Sequence, residues 1–151
     1  MPNPLENLRD VAGRVGEQLR RTAGPELEDL LAHPSVETVG FTNDVGSIMR
    51  AADVLLLPSV EEGSALVTYE AQASGCVLLV SDAAGAMCRH PDQALVHEAR
   101  DVAALTRHLQ TLHDDRTLLA RMRSSALSRR SELSWSAAAR RLDEIYSGRV
   151  S

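Results

Sequence analysis

From Val36 onward, short apolar runs alternate with stretches whose apolar residues recur every three or four positions. That alternation predicts a parallel sheet covered by helices. The runs are Val36–Phe41, Val54–Leu57, Val77–Val80 and a weaker one at Ala94–His97. The two middle runs are apolar without interruption, the pattern of strands buried on both faces. Asp44–Ala52 starts like a helix and puts Val45, Ile48 and Met49 on one face. Ala65–Ser74 does the same with Leu66, Tyr69 and Ala73, and Gly75 ends it. Further on, Asp101 caps a helix carrying Val102, Leu105, Leu109 and Leu112, and Arg116–Glu132 repeats the pattern with Leu118, Leu119, Met122 and Leu127. Ser134 then caps a last helix, within residues 134–151, whose stripe is Ala138, Leu142 and Ile145. The fold class that follows is α/β, a Rossmann-like open parallel sheet with flanking helices.

Residues 1–34 give no such clear assignment. In the first 24, Leu5, Leu8, Ala12, Val15 and Leu19 fit one helical stripe, but Gly13 and Gly16 each cost about 1 kcal/mol in a helix interior. Leu8–Gly13 reads equally well as a strand running into a glycine turn. With 151 residues, no internal repeat and no low-complexity linker, the chain is expected to form a single domain over residues 1–151.

Composition narrows the function classes. At 44% apolar and 25% charged residues, the chain is globular, neither disordered nor collagen-like. No apolar stretch is long enough for a membrane span, and the charged first 21 residues lack a signal-peptide core, so a cytoplasmic location is expected. Cys76 and Cys88 read as reduced, small, buried side chains. A net charge of −5 and only one Trp, two Tyr and one Phe argue against nucleic acid as a partner. From Arg116 to the end the chain turns basic, which reads as a solvated helix face and only weakly as a site for a membrane surface.

The stretch that carries chemistry is AADVLLLPSVEEGSALVTYEAQASG, from Ala51 to Gly75. A buried strand ends at Pro58, a loop carries Glu61, Glu62 and Gly63, and a helix starts near Ser64. Its first N–H groups therefore leave the carboxyl edge of the sheet, where open α/β sheets bind ligands. Free amides and the positive end of the helix dipole suit a phosphate or diphosphate, and Gly63 lets it come close to the backbone. Carboxylates repel an anion, so Glu62 and Glu70 fit better as acceptors for the hydroxyls of sugar and ribose on either side of it.

PSVEEGSALVTYEAQASG resembles the signature of family-4 glycosyltransferases of the GT-B fold: Pro-Ser, Glu-Gly, a second Glu after seven intervening residues, then Ala and a closing Gly. Val39-Gly40-Phe41, Ala51-Ala52-Asp53-Val54 and the helix after Asp101 extend the similarity over about Leu8 to Tyr146. The resemblance implies the C-terminal, donor-binding half of a retaining enzyme, truncated at its N-terminus. It implies that Glu62 hydrogen-bonds the transferred sugar as the catalytic residue, that Gly63 and the amides of Ser64, Ala65 and Leu66 hold the diphosphate, that Glu70 binds the ribose, and that Gly40 and Phe41 lie near the base. No metal or other cofactor is implied; the nucleotide-diphosphate sugar is a substrate, and the implied partner is a separate or missing N-terminal acceptor domain.

Two departures qualify the resemblance. All sixteen basic residues are arginine, so the chain cannot supply the Arg and Lys with which the family neutralises the diphosphate. Ser64-Ala65 also stands where the family often has an aromatic-Gly pair. The alternative is a catalytically incomplete nucleotide- or partner-binding module. Elsewhere bland readings prevail. His108 and His113 lie about 140° apart round a helix and His90 and His97 straddle a loop, so surface or loop positions are expected and no metal site. Trp135, next to a helix cap, is expected to pack as a hydrophobic anchor. Ser59 lacks a nucleophile elbow.

Overall fold

The computed structural model describes residues 29, 31–37 and 39–148. They fall in two units that divide between Asp44 and Val45. The expected alternatives over residues 1–24 lie outside the described residues.

In the first unit the expected strand Val36–Phe41 is absent from the described residues. Val36, Val39 and Phe41 are 44%, 51% and 42% exposed. An apolar run becomes a strand only when a neighbouring strand receives its N–H groups. Here Gly40, at φ 69°, turns the backbone out of the extended region just before the run ends.

The second unit follows the predicted order: α1 (Val45–Ala51), β1 (Val54–Leu57), α2 (Leu66–Ser74), β2 (Val77–Ser81), a 3₁₀ turn (Asp82–Ala84), β3 (Ala94–His97), α3 (Val102–Asp114), α4 (Arg116–Ser128) and α5 (Trp135–Tyr146). The sheet is parallel, ordered β1-β2-β3, with Leu57 opposite Val80 and Ser81 opposite His97. Because side chains alternate across a strand, the central β2 feeds two cores. Leu78 and Val80 pack with Met49 of α1 and Ala71 of α2; Val77 and Leu79 pack with Leu112 of α3 and Leu119 and Met122 of α4. Burying each Leu or Met stabilises the fold by about 1.5–3 kcal/mol.

Every residue of β2 is buried, as its apolar run predicts, whereas β1 has a single partner strand among the described residues and Leu56 is 46% exposed. The caps stand where the sequence puts them. Asp101 accepts from the Ala104 N–H at 2.8 Å, Ser134 from that of Ala137 at 3.2 Å, and Gly75 closes α2 at φ 91°. The fourth helix stops at Ser128, short of the expected Glu132, and Arg129 turns back to pair with Glu132.

Helix α2 is rotated from its expected setting. Its buried residues are Thr68, Ala71 and Gln72, whereas Leu66 is 56% exposed and Tyr69 and Ala73 are half-buried. The polar pair tolerates burial because it finds acceptors: Thr68 Oγ1 donates to Ala65 O at 2.7 Å, and Gln72 Nε2 to Thr68 O and Met87 O. Buried Cys76 donates its thiol to Met49 O at 3.0 Å, and burial pushes its pKa up, as it does for half-buried Cys88, so both are poor nucleophiles. Asp53 pairs with Arg116 at 2.8 Å and with Arg123, tying the start of β1 to α4; the hydrogen bond from Arg116 holds its pKa below the usual carboxylate value.

Two histidines also depart from expectation. His97 ends β3 with 5% exposure, and its ring meets half-buried His108 of α3 edge to face at 6.2 Å. Nδ1 of each is buried without a partner among the described residues. Burial lowers the pKa of His108, helped by His97, His90 and Arg107 and opposed by Asp101. The unfolded chain therefore binds this proton more readily than the folded one. The contribution of His108 is fully present above the unfolded value of about 6.5 and declines as pH falls below it. Thermal midpoints measured from pH 7.5 to 5.5 are expected to fall with acidification in the parent chain and less steeply in His108→Gln. Parallel curves would contradict this.

Candidate functional site

Parallel pairing sets the carboxyl ends of β1 and β2 side by side, so the loops that follow them meet. Ser81, the last residue of β2, donates its hydroxyl to Ser59 O at 2.5 Å. Gly85, just after the 3₁₀ turn, adopts φ 60° and ψ 24°. A Cβ there would stand 2.7 Å from Gly63 O and 3.0 Å from Glu62 O, so the backbone carbonyls of Glu62 and Gly63 are seated directly on Gly85. Neither contact was legible from the loop motif alone. A glycine just past a buried strand was the one available signal.

From this seat the chain enters α2 through Ala65 (φ −78°, ψ 93°), which has no side-chain cap. Thr68 N–H donates to Ala65 O at 2.9 Å, tightening the first turn. Among the described residues, the N–H groups of Ser64, Ala65 and Leu66 have no hydrogen-bond partner, and no acid stands in the first turn to neutralise the dipole. A Cβ added at Gly63 would meet nothing within 4 Å, so the backbone face beside these amides is open.

Glu62 and Glu70 are both exposed, and among the described residues neither forms an ion pair or hydrogen bond. Glu62 belongs to the loop seated on Gly85. Glu70 lies on α2 one turn in and lines a groove of about 500 Å³ between α2 and the start of α5. Gly40 and Phe41 belong to the first unit. Among the described residues no cluster of three or more His, Cys, Asp or Glu could hold a metal ion, and no helix is long and apolar enough to cross a membrane.

A parallel sheet between helices, with an open helix N-terminus at its carboxyl edge, is an α/β, Rossmann-like arrangement of the kind the C-terminal domain of GT-B glycosyltransferases has. Comparison with known proteins agrees. Residues 10–115 match the family described as Glycosyl transferases group 1, and the chain belongs to that family. It is similar to a D-inositol 3-phosphate glycosyltransferase of Corynebacterium kroppenstedtii, with 34% identity over 95% of this chain and 34% of the relative. A protein of the same description from Streptomyces avermitilis is 32% identical over 90% of this chain and 31% of its own length. A UDP-Gal:alpha-D-GlcNAc-diphosphoundecaprenol alpha-1,3-galactosyltransferase of Escherichia coli is 33% identical over 53% of this chain and 21% of its own. The chain thus spans about a third or less of the length of these relatives.

Proposed function

We propose that this domain binds the nucleotide-diphosphate sugar from which a glycosyl group is transferred, with retention at the anomeric carbon, to an acceptor held by another domain. The carrying observation is that the amides of Ser64, Ala65 and Leu66, beside the open face of Gly63, have no partner among the described residues. When the bond from the anomeric carbon to the diphosphate oxygen breaks, the electron pair stays on that oxygen. Backbone donors fixed there stabilise the new charge without reorganising, and removing one such donor typically costs about 10²–10³ in rate. Glu62, on the loop beside the amides, is suited to accept hydroxyls of the transferred sugar, and Glu70 those of the ribose.

Calorimetric titration with UDP, GDP and their hexose conjugates tests this reading. Nucleotide is expected to bind. Glu70→Ala should weaken UDP about tenfold, the loss of a hydrogen bond to a charged group worth about 1.5 kcal/mol. Glu62→Ala should leave UDP unchanged and remove the extra affinity of the sugar conjugate. Heat-silent titrations at millimolar nucleotide would refute the reading.

A second reading, binding without transfer, is favoured by one sequence fact: the chain has no lysine to help neutralise the diphosphate. On that reading the isolated chain binds UDP-hexose but releases no UDP from it.

A further inference from the structure

The donor site makes no use of His97 and His108, yet the fold brings the two rings together, edge to face, with Nδ1 of each buried and without a partner among the described residues. A neutral imidazole tolerates such a place, because one of its nitrogens carries no hydrogen. An imidazolium has two N–H groups to satisfy and a charge to bury. The surroundings offer it little. On this side of the sheet β2 and α4 present apolar Val77, Leu79, Leu119 and Met122. The groups acting on His108 are His97 from β3, His90 from the turn before β3 and Arg107 from α3, all of which oppose a positive charge, against Asp101 alone. One oxygen of Asp101 already accepts from the Ala104 N–H. The pair therefore takes up a proton only by coming apart.

Short links join this pair to the loop that carries Glu62 and Gly63. His97 ends β3 opposite Ser81, whose hydroxyl holds Ser59 O. Two residues beyond His97, the Ala99 N–H donates to Asp82 Oδ1 at 2.9 Å, and Asp82 opens the 3₁₀ turn that leads to Gly85, the seat of the Glu62 and Gly63 carbonyls. The connection from His97 to α3 has no slack. Asp101 N–H donates to Glu98 O at 3.0 Å and Val102 N–H to Arg100 O at 2.9 Å, while Arg100 is held at φ 72°, a left-handed setting that an L-residue keeps only under constraint. Movement of α3 is thus passed to Ala99. We propose that the His97–His108 pair is a proton-operated switch for the candidate site: on protonation α3 moves off the end of β3, the bond from Ala99 to Asp82 breaks, and Gly85 no longer holds the loop of Glu62 and Gly63 in place. The switch operates below the ordinary histidine midpoint of about 6.5, because burial disfavours the charged ring. It stands without the donor-site reading; its effect on a ligand rests on that reading.

Magnetic resonance on the isotopically labelled full chain, without ligand, follows the His108 ring and the amides of Ala99, Gly85 and Leu78 from pH 7.5 to 4.5. Ala99 and Gly85 are expected to move with the midpoint of the ring, while Leu78, in the core, stays still. In His108→Gln both should lose that transition. By calorimetry the affinity for UDP-glucose, whose diphosphate is esterified at both ends and takes up no proton in this range, should fall about fivefold across the transition in the parent and less than about twofold in the variant. A ring that stays neutral throughout overturns the proposal, as do Ala99 and Gly85 amides that ignore the ring or that titrate in His108→Gln as well. Leu78 moving with them would mean general unfolding and overturns it too. An affinity indifferent to a coupled transition overturns control of the site. A coupled transition in a chain that binds no UDP-glucose at pH 7.5 keeps the switch and removes the donor-site reading.

Discussion

Gly63→Ala is expected to fold as well as the parent chain and yet bind a nucleotide-diphosphate sugar at least tenfold more weakly. The added methyl meets nothing within 4 Å, and Gly63 lies outside the left-handed region, so an L-residue fits. Stability should change by no more than about 0.5–1 kcal/mol, and in the favourable direction if the unfolded chain loses freedom. The methyl instead occupies the space from which a diphosphate would reach the amides of Ser64–Leu66. Thermal unfolding and calorimetry on one preparation separate the two effects. Unchanged affinity would mean that the ligand does not approach over Gly63.

Gly85→Ala should show the opposite pattern, losing stability and binding together. A left-handed backbone costs an L-residue about 1–2 kcal/mol, and the new Cβ would meet two carbonyl oxygens at 2.7 and 3.0 Å. Backbone cannot rotate away as a side chain can, so the carbonyls of Glu62 and Gly63 must lift from their seat. A loss of about 2 kcal/mol is expected, lowering the thermal midpoint by roughly 5–10 °C, with at least a tenfold loss of affinity for UDP-hexose. A variant that unfolds at the parent's temperature would show that Gly85 does not carry the loop. A stability loss without an affinity loss would show that the loop's height does not matter to the ligand.

The strands and caps of the second unit were legible because local chemistry determines them. Val54–Leu57 and Ala94–His97 fall where the apolar runs predict, and Asp101, Ser134 and Gly75 perform the capping their side chains or lack of one allow. Which face of α2 meets the sheet was not legible. Leu66, Tyr69 and Ala73 make a plausible apolar stripe, but the Thr68 hydroxyl and the Gln72 amide N–H groups find carbonyl acceptors and so can be buried in its place. Val36–Phe41 failed for a related reason: an apolar run does not carry its pairing partner with it. Trp135 was read from its neighbour Ser134, whereas its exposure depends on the setting of the whole of α5, which has no buried residue.

The loop after β1 was legible as a motif, since a strand end, a Glu-Gly turn and a helix start are consecutive in the chain. Its support from Gly85 and Ser81 comes from more than 20 residues further on in the case of Ser81 and Ser59. Parallel pairing of β1 with β2 brings those positions together. The candidate site is thus a local signature resting on a non-local seat, and the Gly63 and Gly85 variants probe those two layers separately.

The most direct measurement is the amide resonance of Ser64, Ala65 and Leu66 during titration of the isotopically labelled chain with UDP. These three N–H groups should shift together and saturate with one dissociation constant, while the amides of α5's far end stay still. Three stationary amides in a chain that nevertheless binds UDP would place the diphosphate elsewhere and contradict the account.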